Sequence, residues 1–126
     1  MEIGELQMEE KSKKISERLL DYGVEVIKLT IELKKTMIGK DIAKQLLRSG
    51  TSAGANYEES YGAESKADFI HKLQVVLQEL RESLYWLKLI KKSQILKNIK
   101  LDNVIDETKQ LSNIIAKSVI TAKNRN

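Results

Sequence analysis

The chain of 126 residues contains no cysteine and no proline, and its aromatic residues are one Phe, one Trp and four Tyr. Without cysteine it cannot form a disulfide, a thiolate-bound zinc or iron–sulfur site, or a thiol nucleophile, and we expect it in the reducing cytoplasm. At the usual frequency, a chain of this length would contain about six prolines. The absence of proline and the scarcity of aromatic residues argue against sheet-rich and turn-rich folds and favour long helices.

The sequence also lacks long apolar runs, because no stretch approaches 18 consecutive apolar residues. Residues 1–10 carry four Glu and no Lys or Arg, the opposite of the positively charged start of a signal peptide. We therefore expect neither a membrane-spanning helix nor export by a signal peptide.

Charge is unevenly distributed along the chain. The whole sequence has 22 basic and 18 acidic residues, but four of the acidic residues lie in residues 1–10, which leaves 22 basic against 14 acidic in the remainder. A basic body raises the expectation of an anionic partner such as nucleic acid, although net charge by itself does not define a site.

Four segments show apolar residues at alternating spacings of three and four, the pattern of amphipathic helices. Gly39 is a predicted helix stop, Asp41 the predicted N-cap of the second helix, and Ser65 that of the third, with Asp68 completing a capping box. The four stripes are Ile15, Leu19, Tyr22, Val26, Leu29 and Leu33; Ile42, Leu46, Ser49, Ala53 and Tyr57 or Ser60; Phe69, Leu73, Val76, Leu80, Ser83 or Leu84, Leu87 and Ile90; and Leu101, Val104 or Ile105, Thr108, Leu111, Ile115 and Val119.

These segments predict an all-α fold, an antiparallel up-down-up-down four-helix bundle whose broad sides are available for homo-oligomerisation. We expect an acidic, flexible N-terminus over residues 1–10, the bundle over 11–122 and a frayed tail over 123–126.

Small residues fill the middle of the second helix, where Gly50 and Gly54 share one face. Each Gly costs about 1 kcal/mol relative to Ala in a helix, so close approach of a neighbouring helix should compensate. That neighbour could belong to the same chain or to another subunit. A phosphate-binding loop is disfavoured, because the spacing matches neither nucleotide-binding glycine motif and no strand precedes it.

The second and third helices, paired about a turn near Glu64, bring polar residues into one seam. Arg48 falls near Glu79 and Glu82, a network that can fix register even where it adds little stability. The predicted structural polar network comprises Gln45, Arg48, Asn56, Lys72, Glu79 and Glu82.

The same hairpin carries motifs whose combined spacing resembles the bacterial four-helix proteins encoded in intervening sequences of large-subunit ribosomal RNA genes. The motifs are Gln45-Leu46-Leu47-Arg48-Ser49 with Ser52 and Asn56, Asp68-Phe69-Ile70-His71-Lys72-Leu73, Glu79-Leu80-Arg81-Glu82-Ser83, and Tyr85-Trp86-Leu87. The resemblance implies a ring-shaped homo-oligomer, a pentamer, related to accessory proteins of diversity-generating retroelements that engage reverse transcriptase and nucleic acid. It implies no enzymatic activity and no cofactor.

Catalytic and metal sites have weak support in the sequence. Asp68 and His71 have the spacing of two metal ligands on one helical face, but a di-iron bundle needs two such motifs and the chain has one. The single His has no nucleophile motif beside it. We therefore predict no metal site and no enzyme, and an oligomeric site at Asp68 and His71 stays a minor alternative.

The strongest functional signal is a run of lysines in a stretch with no acidic residue between Glu82 and Asp102. Clustered lysines bind phosphates with a steep dependence on salt and little sequence specificity. The equally weighted alternative is a solvated face, since cations also offset the dipole at helix C-termini, as at Lys34 and Lys35. The predicted nucleic-acid-binding residues are Lys88, Lys91, Lys92, Lys97, Lys100, Lys40 and Lys44.

Tyr85 and Trp86 are adjacent and cannot both face one core, because successive helical residues are about 100° apart. One of them should reach a neighbouring subunit, and the alternative is that both lie at the boundary of the core. The predicted oligomer interface comprises Gly50, Gly54, Tyr85 and Trp86. The sequence thus predicts a homo-oligomer that binds structured nucleic acid, and RNA is the expected kind. The alternative is a scaffold that binds a partner protein and has no direct role with nucleic acid.

Overall fold

The computed structural model describes residues 2–125, and the side chains of residues 10–125. It contains four helices, α1 (Glu2–Lys34), α2 (Gly39–Ser60), α3 (Lys66–Ser93) and α4 (Asp102–Asn124), and no strand occurs among the described residues. The predicted all-helical class is confirmed. The predicted flexible segment 1–10 lies, except for Glu10, outside the residues whose side chains are described, and residue 126 lies outside the described chain, so both terminal predictions stay predictions.

The core consists of the predicted stripes. Tyr22, Leu46, Leu80 and Leu111 are fully or almost fully buried, one from each helix, and buried aliphatic residues continue along the same faces. The stripes are confirmed in all four helices. Where the sequence left two residues as candidates for a core position, Tyr57 and Ser60 are both buried, and Ser83 and Ile105 are the buried residues at the other two positions.

The helices contact one another in the order of the chain, α1 with α2, α2 with α3, and α3 with α4, and α1 also touches α4. Two buried hydroxyl pairs join helices inside the core. Ser83 donates to Ser49 at 2.8 Å, and Thr108 donates to the Tyr22 hydroxyl at 2.8 Å. Such bonds satisfy polar groups that would be costly to bury alone.

The turn between α1 and α2 differs from the prediction. Asp41 is not the N-cap, because α2 begins at Gly39 and Asp41 lies in its first turn; the Thr36 hydroxyl instead accepts the Gly39 backbone N–H at 3.0 Å. Gly39 opens α2 and does not end α1. A Cβ there would lie 2.2 Å from Thr36 Oγ1 and 2.4 Å from the Leu33 carbonyl oxygen, so the turn has room only for glycine.

The capping box of α3 is confirmed. The Ser65 hydroxyl accepts the Asp68 backbone N–H at 3.1 Å, and the Asp68 carboxylate accepts the Glu64 N–H at 3.3 Å. The first bond satisfies a donor that the first turn of a helix leaves free, and the second goes to the residue just before the N-cap, one position earlier than in a standard capping box. Among residues 2–125, no helix has the length and apolar character needed to cross a membrane.

Close approach of α1 to α2 explains the glycines of α2. A Cβ on Gly50 would lie 2.7 and 2.8 Å from the two γ-methyl groups of Val26, which is itself fully buried. Gly54 is less tightly packed, since a Cβ there would lie 3.5 Å from Leu19 Cβ. The packing interpretation is therefore confirmed for Gly50, whereas Gly54 has room for a Cβ, and the helix that approaches both belongs to the same chain.

Candidate nucleic-acid interface

We call the exposed lysines around the connection between α1 and α2, at the end of α3 and in the connection to α4 the lysine end. Leu29 and Glu32 of α1 line one cavity with Ile99 and Lys100 from the connection before α4, so this part of α1 lies beside that connection. All seven lysines predicted to bind nucleic acid are exposed at or beside this end, as are Lys34 and Lys35.

Two carboxylates neutralise part of the charge at the lysine end. Lys91 pairs with Asp102, and this contact holds the pKa of the Asp102 carboxyl below its ordinary value. Lys35 pairs with Glu32 at 2.6 Å. No carboxylate of residues 10–125 forms an ion pair with the remaining predicted lysines, which are Lys40, Lys44, Lys88, Lys92, Lys97 and Lys100.

The connection between α3 and α4 shapes the lysine end into a concave surface. Gln94 ends α3 in the left-handed conformation, with φ 58°, and turns the chain away from the helix axis. The segment that follows borders an open cavity of about 310 Å³. Lys91, Lys97 and Lys100 are among the residues that line this cavity. Three ammonium groups around a concavity can contact one phosphate or two successive phosphates of a strand.

The predicted seam between α2 and α3 contains a smaller network than expected. Arg48 Nη1 lies 3.0 Å from Glu79 Oε2, and the guanidinium also pairs with Glu82. Trp86 Nε1 donates to Glu82 at 3.0 Å, and this bond, followed by that from Arg48, holds the pKa of Glu82 below its ordinary value. The network joins two helices, and none of its members lines the cavity at the lysine end.

The other three members predicted for this network do not extend it. The Asn56 amide donates to the Ser52 carbonyl within α2, and Lys72 pairs with Asp68 within α3 at 3.4 Å. Gln45 is exposed. Asn56 and Lys72 thus each have a partner on their own helix, and their place in a network between α2 and α3 stays a prediction.

The four predicted interface residues have different environments. Tyr85 is more than half exposed and its ring makes an edge contact with Trp86 at 5.1 Å, whereas Trp86 is half-buried with its indole N–H bonded to Glu82. Gly50 is buried within the chain and Gly54 borders an open groove. Their role between subunits stays a prediction.

The possible metal ligands do not form a cluster. Asp68 is engaged by Lys72 and by the capping box, and His71 is exposed. Within the part of the chain that the structure describes, no three His, Asp or Glu side chains are close enough to hold a metal ion.

A second apolar face on α1, absent from the predicted sites, is exposed in the structure. Leu20, Val24, Ile27 and Ile31 recur at spacings of four, three and four, and they are 44–69% exposed. At about 100° per residue, this outer stripe lies on the opposite side of α1 from the core stripe. It borders a groove of about 530 Å³ between α1 and α2.

Both the sequence and the fold are similar to those of known proteins. The sequence model of the 23S rRNA-intervening sequence protein family matches residues 11–117. A solved structure with a TM-score of 0.78 and 30% identity is that of a protein with unknown function from the S23 ribosomal protein family of Bacteroides thetaiotaomicron VPI-5482; the match covers 83% of this chain and 97% of that one. No curated protein matches.

Proposed function

Because this chain belongs to the family of 23S rRNA-intervening sequence proteins, we propose that it is a non-enzymatic, homo-oligomeric bundle that binds structured RNA through phosphate contacts. The observation that carries the proposal is the lysine end, where exposed lysines from α1, α2, α3 and both connections occur together and three of them line a concave surface. The protein acts in the cytoplasm and needs no cofactor.

Phosphate contact by lysines is the recognition mode that this surface suits. Lysine is a flexible point charge, so it follows the backbone of a folded RNA without reading base edges. Binding releases counterions, and affinity should therefore fall steeply as salt rises. The ion pairs at Lys35 and Lys91 are exposed and weak, so both lysines can exchange their carboxylate for a phosphate.

The helices of this proposed bundle run up-down-up-down and antiparallel. Two sets of contacts support that arrangement, because residue numbers rise along one helix as they fall along its neighbour. In α1 and α2, Ser16 contacts Glu58 whereas Val26 faces Gly50. The contacts between α3 and α4 support it again, since Lys91, near the end of α3, pairs with the first residue of α4.

Homo-oligomerisation is supported by the outer stripe of α1. Four aliphatic side chains in one row are costly to leave in water, and contiguous apolar patches on soluble proteins mark interaction sites. Substitution of Leu20 and Ile27 by Ser should lower the mass measured by light scattering, whereas Ile120→Ser, an exposed aliphatic on α4, should not. An unchanged mass would remove the stripe from the subunit interface and leave it available to a partner protein.

Charge reversal tests RNA binding. We expect the triple variant K88E/K91E/K92E to lose at least about tenfold in affinity for a labelled structured RNA, measured by fluorescence anisotropy at physiological salt. The control K13E/K109E/K123E changes net charge equally on exposed lysines elsewhere and should bind almost as the unmodified chain does. Equal loss in both triples would show nonspecific attraction, and retained affinity in the first would favour the scaffold function.

A further inference from the structure

A second candidate site lies at the opposite end of the bundle, where α2 and α4 finish and α3 begins. It is an open cavity of about 490 Å³, within the size range of about 300–1,000 Å³ that is typical of small-molecule sites. The tyrosine cavity, as we name it, is lined by Lys11, Lys14, Tyr57, Tyr61, Phe69 and Lys117 among others.

Aromatic rings form one wall of the tyrosine cavity. The Tyr61 ring makes edge contacts with Tyr57 at 5.4 Å and with Phe69 at 5.6 Å, and the hydroxyls of the two tyrosines lie 3.1 Å apart. These contacts fix the orientation of a ring that is still 47% exposed. A fixed and accessible aromatic ring is a suitable surface for stacking a planar base.

Cations form the rim of the tyrosine cavity. Lys11 and Lys14 come from α1 and Lys117 comes from α4, and none of them forms an ion pair with a carboxylate of residues 10–125. No Asp or Glu occurs among the described residues that line the cavity. Two carboxylates adjacent in sequence to lining residues have partners of their own, Glu58 with Ser16 and Asp68 with Lys72.

We propose that the tyrosine cavity binds a nucleotide unit, with the base stacked on Tyr61 and the phosphate held by Lys14 and Lys117. The unit is either a free mononucleotide or an unpaired nucleotide at the end of an RNA strand. This site goes beyond the phosphate contacts of the lysine end, since α2, which connects the two ends, is about 33 Å long. It would add base stacking to a protein whose other surface reads only the backbone.

Isothermal titration calorimetry on the full chain tests the cavity with adenosine monophosphate, adenosine and inorganic phosphate. A site that uses both parts should bind the monophosphate at least about tenfold more tightly than either fragment. Tyr61→Leu should weaken binding of the monophosphate about tenfold, whereas Tyr61→Phe keeps the ring and should bind normally. Lys117→Glu should also weaken it, and Lys109→Glu, an exposed lysine of α4 outside the cavity, should not.

The source of the nucleotide is decided by a second arm with two RNA duplexes, one blunt and one with a single-stranded overhang. Tighter binding of the overhang that disappears in Tyr61→Leu identifies an RNA end, and equal binding with the monophosphate response intact identifies a free nucleotide. The proposal is overturned if the monophosphate binds no better than its fragments or if Tyr61→Leu, folded by circular dichroism, binds it normally. Charge reversal of Lys88, Lys91 and Lys92 should leave binding of the monophosphate unchanged. A failure of RNA binding at the lysine end can therefore be distinguished from a failure of nucleotide binding at the tyrosine cavity.

Discussion

Two glycines on one face of α2 should respond in opposite directions to the same substitution. Replacing Gly by Ala favours a helix by about 1 kcal/mol. At Gly50 the new methyl group would lie 2.7 Å from Val26, a buried side chain whose β-branch allows little rotation, and overpacking of this kind costs about 1–3 kcal/mol. We expect G50A to lose up to about 2 kcal/mol of unfolding free energy and G54A, with 3.5 Å to Leu19, to gain about 1 kcal/mol.

Urea denaturation followed by circular dichroism, at one protein concentration for all variants, measures these differences as shifts of the midpoint. The Val26→Ala background provides the control, because it removes both methyl groups that obstruct the site. There G50A should become neutral or stabilising, which a double-mutant cycle reports as a coupling energy. Equal stabilisation by G50A and G54A in the unmodified background would refute the close approach of α1 to α2.

Three further substitutions test other parts of the account. Gln94→Gly should stabilise the chain by about 1 kcal/mol in thermal or urea unfolding, because Gln94 has a positive φ of 58° that costs other residues more than glycine. Tyr22→Phe should cost about 1 kcal/mol, since it removes the bond from Thr108, and an unchanged midpoint would argue against that bond. Glu82 has a pKa lowered by Trp86 and then by Arg48, so its stabilisation is complete above its ordinary pKa of 4.5 and is lost as the pH falls through the lower folded value. The unfolding free energy of Glu82→Gln should therefore fall less steeply than that of the unmodified chain in this acid range.

Much of the fold could be predicted from the sequence because burial imposes a strict period on each helix. Leu19, Val26, Leu80 and Leu111 follow that period and are buried, and the cap at Ser65 has a local signature of its own. The turn before α2 could not be placed to the residue. From the sequence alone, Gly39 could end α1 or begin α2, and Asp41 could cap α2 or lie inside it. The contact of Gly39 with Thr36 across the turn determines where α2 begins.

The candidate surfaces were less predictable, because they depend on which residues remain exposed to solvent once the helices have packed. Leu20 and Val24 are aliphatic residues in a helix, and their exposure became apparent only when the core stripe of α1 was fixed. Tyr61 follows the last residue of α2, Phe69 lies in α3, and Lys117 is 48 residues from Phe69 along the chain, so no helical pattern joins them. The lysines of the third helix and its connection could be found, since they are close in sequence.

The salt dependence of RNA binding tests the central claim most directly. A labelled structured RNA should be titrated by fluorescence anisotropy at several salt concentrations with the unmodified chain and with K88E/K91E/K92E. If these lysines contact phosphates, the slope of log affinity against log salt should become shallower by about two to three units in the variant, at close to one unit for each lost contact. An unchanged slope with unchanged affinity would contradict binding through the lysine end.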